Sequence, residues 1–140
     1  MAATVFEDLD SLLSAGRRHL GATEWVELTE SVIAAFAAAT WSPSGDDDNV
    51  APPMLLLSLT NRFLPDLLEV RGVSSGVNYG TGPVRFGAPV RAGDRIRAIA
   101  DLLEASEAPG GVQTTVQIRI EVQGSGEPGC TVESLSRWLR

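Results

Sequence analysis

PPMLLLSLTNRFL, residues 52–64, decides how this chain must fold. Its two prolines stand where prolines suit the first turn of a helix, because the N–H they lack has no partner there anyway. The residues that follow are apolar nearly all round. That predicts a helix buried on most sides, with Pro65 marking its end or a kink. A helix of this kind has to be wrapped by something, and the wrapping lies in the second half of the chain.

From Val73 onward the pattern is that of strands. VQIRIEVQ (Val116 to Gln123) alternates without a break, Val116, Ile118, Ile120 and Val122 on one face and Gln117, Arg119, Glu121 and Gln123 on the other. DRIRAIADLLEAS, starting at Asp94, reads as a second long strand, and APGG (Ala108 to Gly111) as the turn between them. GSGEPG (Gly124 to Gly129) makes the next turn, and CTVESLSRWL closes the sheet. Toward the N-terminus, EDLDSLLSA (residues 7–15) puts Leu9, Leu12 and Leu13 on one helical stripe that Gly16 ends. TEWVEL (Thr23 to Leu28) reads as a short strand. Thr29 caps a helix carrying Val32, Ile33, Phe36, Ala37 and Thr40 at helical spacing. The expected fold is α+β, an antiparallel β-sheet wrapped around a central apolar helix, in a single domain over residues 1–140.

Composition narrows the function. The 140 residues carry a net charge of -7, which argues against nucleic acid as a partner, since phosphates need a basic face. No stretch is long and apolar enough for a bilayer, and MAATVFEDLDSLL lacks the basic start of a signal peptide. The single Cys130 forms neither an intrachain disulfide nor a metal cluster, so no metal is expected and a reducing cytoplasm is the natural setting.

VNYGTGPVRFGAPVRAGDRIRA (Val77 to Ala98) resembles the MaoC-like dehydratases, the (R)-specific enoyl-CoA hydratases, in its Asn-Tyr-Gly, Val-Arg-Phe, Ala-Pro-Val and Gly-x-x-hydrophobic-Arg. LGATEWVELTESVIAAFAAAT is similar to the same family's tryptophan strand and following helix, and MLLLSL to its central helix. The resemblance implies a hotdog fold and a small-molecule or acyl-thioester ligand, with no cofactor. It also implies a homodimer, or a heterodimer with a catalytic MaoC-like subunit.

That family adds water reversibly across a 2-enoyl thioester, which takes an acid–base pair and a backbone N–H for the enolate oxygen. The residues it implies for this work are missing here. Thr40 is followed by Trp41 and Ser42 where Gly-Asp is expected, no His falls at Gly45 to Asp47, and Pro52–Pro53 replace His-Gly. His19, the only His, precedes the first expected strand and reads as a surface residue. The acidic loop offers Ser42, Asp46, Asp47 and Asp48 as candidate proton carriers. A carboxylate beside others in a partly closed pocket has its pKa raised, which suits proton transfer near neutrality. The plain alternative is a solvated turn in which Asp48 or Asn49 caps the helix at Pro52. The N–H groups of Met54 and Leu55 remain as donors for a developing charge. Trp41, Asn49, Met54, Asn78, Tyr79 and Arg85 are the candidate substrate-binding residues. Arg85, Arg91, Arg95 and Arg97 suit the phosphates of a coenzyme A arm or an acidic carrier protein, and Arg95 and Arg97 share a strand face. The expected function is a repurposed dehydratase, lyase, isomerase or cyclase on an acyl-thioester or polyketide-type molecule. The alternatives are a non-catalytic partner subunit or an acyl-binding module.

Overall fold

The computed structural model describes residues 3–42 and 49–140. In chain order these form β1 (Thr4–Phe6), α1 (Leu9–Ser14), β2 (Arg18–Ala22), β3 (Val26–Glu27), α2 (Glu30–Ala39), α3 (Pro53–Leu67), β4 (Leu68–Val70), β5 (Ser75–Phe86), β6 (Arg95–Ala108), β7 (Gly111–Val122) and β8 (Cys130–Leu139). The main sheet runs β2-β6-β7-β8-β5, with β3 also paired to β6, and every pairing in it is antiparallel. A small parallel pair joins β1 to β4, with Thr4 opposite Leu68.

The alternation read in the sequence is the core. On β7, Val112, Val116, Ile118, Ile120 and Val122 are buried beside Ile96, Ala98, Ala100 and Leu102 of β6. From the other side α3 supplies Leu55, Leu56, Phe63, Leu64 and Leu67. Each buried Val, Ile, Leu or Phe among them contributes roughly 1.5–3 kcal/mol by leaving water. The α+β hotdog arrangement is therefore present, the sheet enclosing a helix along one face. Burial of that helix on most sides needs correction, because Met54, Ser58, Asn61 and Arg62 face outward. Pro65 does not end the helix, which continues to Leu67. Placed in the last turn, it takes a donor only from the carbonyl one turn earlier.

The helix ends follow their local chemistry. Asp8 caps α1 by accepting from Ser11 N–H at 2.8 Å, and Gly16 follows at φ +64°, the left-handed position a glycine fills cheaply. The Thr29 hydroxyl accepts from Val32 N–H at the start of α2. Pro52 is itself the N-cap of α3 and brings no side-chain bond, so capping by Asn49 is not what starts this helix.

Two N-terminal expectations change. Residues 23–28 are not one strand, since only Val26 and Glu27 pair with β6. The buried Thr23 interrupts the ladder by using its hydroxyl to accept from Ala98 N–H at 3.0 Å. His19 does not precede the first strand; it lies within β2, across from Asp101, and its Nδ1 sits 2.7 Å from the Asp101 carboxylate. It is exposed, as expected. Among the described residues no helix is long and apolar enough to cross a membrane.

Candidate functional site

Two regions hold the expected site residues. The first is the junction between α2 and α3. Helix α2 ends in a Schellman turn: Trp41 N–H donates to Ala38 O at 3.3 Å and Ser42 N–H to Ala37 O at 2.9 Å. That turn requires a left-handed residue, and here it is Trp41, at φ +53° and with 93% of its surface exposed. The Thr40 hydroxyl donates back to Phe36 O at 2.8 Å, so Ser42 donates to the Thr40 oxygen at 2.7 Å. Ser42 is thus engaged in closing the helix. Asp46, Asp47 and Asp48 lie outside the described residues. The Asn49 carbonyl accepts from Ala92 N–H at 2.7 Å, and the Ala51 N–H donates to Val90 O at 2.8 Å. Of the two amides left at the start of α3, Leu55 N–H turns back to Pro52 O at 2.9 Å. Met54, at the other, is exposed.

The second region is the long groove between α3 and β5. Strand β5 is the sheet's last, paired only with β8. Of its inward residues, Gly76 has no side chain to fill the gap to the helix, and Asn78 spans it through a single hydrogen bond. A cavity of about 410 Å³ opens there, lined by Asn61, Leu64, Val70, Asn78, Ser136 and Trp138 among others. The Trp138 indole donates from Nε1 to the Thr114 hydroxyl at 2.9 Å. Its ring lies over Gly76 so closely that a Cβ there would fall 2.6 Å from a ring carbon. A second cavity of about 270 Å³ continues along Leu57, Thr60, Tyr79 and Thr81. Asn78 Nδ2 donates to Asn61 Oδ1 at 2.6 Å, and both residues line both cavities.

The remaining expected residues sit elsewhere. The Tyr79 ring packs 3.9 Å under the Arg137 guanidinium. It stands at a bulge, between the pairs Asn78–Ser136 and Gly80–Leu135. Arg85 is exposed opposite Thr131 near the end of the strand. Arg97 is bound to Glu121 at 3.0 Å and stacked on Trp25 at 4.4 Å, which leaves it poorly placed to meet a phosphate. So Asn78 and Tyr79 lie at the groove, and among the described residues no hydrogen bond or ring contact joins them to Trp41, Ser42 or Met54. Sequence reasoning passed over Asn61, Ser136 and Trp138. Asn61 left one signal, an amide next to the leucine run of the central helix.

No protein-family model matches the chain. Aligned over 147 positions, the chain is 33% identical to 3-hydroxyacyl-thioester dehydratase Z of Mycobacterium tuberculosis, covering 96% of this chain and 97% of the relative. The chain belongs to the MaoC-like dehydratase family. Solved structures agree on the MaoC-like fold. The monoamine oxidase regulatory protein of Archaeoglobus fulgidus superposes with a TM-score of 0.75 at 22% identity, covering 100% of this chain and 99% of that one. The R-hydratase PhaJ1 of Pseudomonas aeruginosa gives 0.63 at 16% identity over 89% and 88%. A chain of the ChsH1–ChsH2 complex of Mycobacterium tuberculosis gives 0.65 at 15% identity over 86% and 94%.

Proposed function

We propose that this MaoC-like protein acts on an acyl thioester by a reaction other than hydration of a simple 2-enoyl thioester, as a repurposed lyase, isomerase or cyclase. The observation that carries the reading is an open groove beside an α2–α3 junction whose residues 41–53 include no His. The α3–β5 groove offers apolar walls and a few polar groups, as small-molecule sites do. Meanwhile residues 41–53 contain no His, Ser42 is held in a helix cap, and α3 opens on a residue without an N–H. The thioester follows from the named activity of the 33% identical relative. Asp46, Asp47 and Asp48 are the proposed proton carriers, with Trp41, Asn49, Met54, Asn78, Tyr79 and Arg85 as substrate-binding residues.

A second reading, a non-catalytic subunit beside an intact MaoC-like chain, is favoured by the free edge of β5 and by the likeness to a chain of a two-component complex. The protein purified alone is the test. It should bind octanoyl-CoA yet hydrate crotonyl-CoA and 2-octenoyl-CoA at no useful rate, because general acid–base groups contribute roughly 10²–10⁴-fold and an oxyanion donor about 3 kcal/mol. Robust hydration that disappears in Asp46→Asn, Asp47→Asn or Asp48→Asn would overturn the replaced site. Binding that appears only after a second MaoC-like chain is added would favour the subunit.

A further inference from the structure

We infer that the hydrogen bond between Asn61 and Asn78 sets the length of acyl chain that the α3–β5 groove accepts, stopping it at about eight carbons. The inference rests on the acyl-thioester reading above and names the specificity-determining residues of that site. The two cavities of the groove follow one another along α3. Leu57 and Thr60 line the smaller, Pro65 and Leu68 the larger, and Asn61, Leu64 and Asn78 line both. The order repeats on the sheet, with Thr81 and Ser134 at the smaller cavity and Gly76 and Ser136 at the larger. Asn78 Nδ2 donates to Asn61 Oδ1 at 2.6 Å, so the bond crosses the groove where the two cavities meet.

On that reading the thioester lies at the start of α3, by Met54. Asn61 is about two helical turns further on, roughly 10 Å along the axis. An extended chain advances about 1.2 Å per bond, which puts the bonded pair about eight carbons from the thioester. An alkyl chain of that length fills the smaller cavity, and each methylene it buries tightens binding by up to about four-fold. The next methylenes meet two amides. To pass, they must break the bond and strip water from both groups while offering no donor or acceptor in exchange, which offsets the gain from entering the larger cavity. Behind the pair the larger cavity is already shaped, walled by the Trp138 indole that its bond to Thr114 at 2.9 Å holds in place. Room for a longer chain therefore exists, and the two amides withhold it.

The coenzyme A thioesters of hexanoate, octanoate, decanoate and dodecanoate are titrated into the full chain by calorimetry. Affinity should rise from hexanoyl to octanoyl and then stop, with decanoyl and dodecanoyl binding no tighter than octanoyl. Asn61→Ala or Asn78→Ala, each checked for an unchanged melting profile, should let the rise continue, so that dodecanoyl binds about ten-fold or more tighter than octanoyl. A substitution that merely loosened the fold would shift all four thioesters together and leave that ratio at its wild-type value. An affinity that climbs through dodecanoyl in the unmodified protein, or a plateau that neither substitution removes, overturns this inference and leaves the acyl-thioester reading in place. If no thioester binds, both fall.

Discussion

Trp41 shows what a left-handed backbone costs a residue with a side chain. A left-handed backbone is unfavourable by roughly 1–2 kcal/mol for a residue with a Cβ, and at 93% exposure the indole regains nothing by burial. Trp41→Gly should therefore stabilise the protein, by about 0.5–1 kcal/mol after the extra freedom of glycine in the unfolded chain is subtracted. That corresponds to a melting temperature about 2–4 °C higher by calorimetry. An unchanged or lower value would mean that the side chain makes a contact which the isolated chain lacks. Asp8 gives a pH-dependent counterpart. The bond from Ser11 N–H holds its carboxyl below the ordinary carboxylate range. Its contribution is present above that range and is lost as pH falls through its lowered value. Asp8→Asn should narrow the gap in melting temperature between pH 7 and pH 3, whereas an equal gap would show that the cap is neutral to charge. Neither effect was legible in the sequence. A left-handed Trp has no sequence signature, while the Asp8–Ser11 box lies one residue away from the stripe that did announce the helix.

At the scale of elements, legibility followed length and regularity. Strand β7 shows an unbroken period of two, and both faces came out as read. Strands β1, β2 and β4, at three to five residues, are too short for a period to register, and the β1–β4 pair joins residues 4 and 68. Strand β5 is long, but bulges at Tyr79 and near Gly82–Pro83 break its alternation, so its inner face could not be counted off. That is why Asn78, on this strand, was found by resemblance and not by its pattern. The central helix was read correctly in position but too generously in burial, because the half-buried Leu57 and Leu59 look the same in sequence as its fully buried leucines. Its inner stripe carries the core. Phe63→Ala should cost about 3–5 kcal/mol in denaturant unfolding, while Met54→Ala, on the exposed turn, should cost under about 0.5 kcal/mol. Equal losses at the two positions would contradict the one-sided packing.

The whole molecule ends in an open edge. All but one of the twelve residues of β5 are exposed, and the strand carries Val77, Tyr79, Val84 and Phe86 at its surface. A strand can pair antiparallel with a copy of itself about a two-fold axis, and long apolar edges do not stay unpaired in water. Sedimentation at micromolar concentration should give twice the 14.8 kDa chain mass. Val84→Lys, a charge placed on that edge, should shift the protein toward the monomer. A wild-type monomer would count against pairing through β5. The groove beside β5 would then remain open to solvent along its length.

The order of the sheet also sets a timetable for synthesis. Strand β5 leaves the ribosome before β6 and β7, yet its partner among the described residues, β8, is made after both. Until residues 130–139 emerge, β5 has two bare edges and nothing to pair with. The nascent chain therefore carries this apolar edge unpaired while residues 87–129 are made, when encounters with chaperones or with other nascent chains matter. Gly82 and Pro83, which break the regularity of that strand, sit where such premature pairing would otherwise propagate.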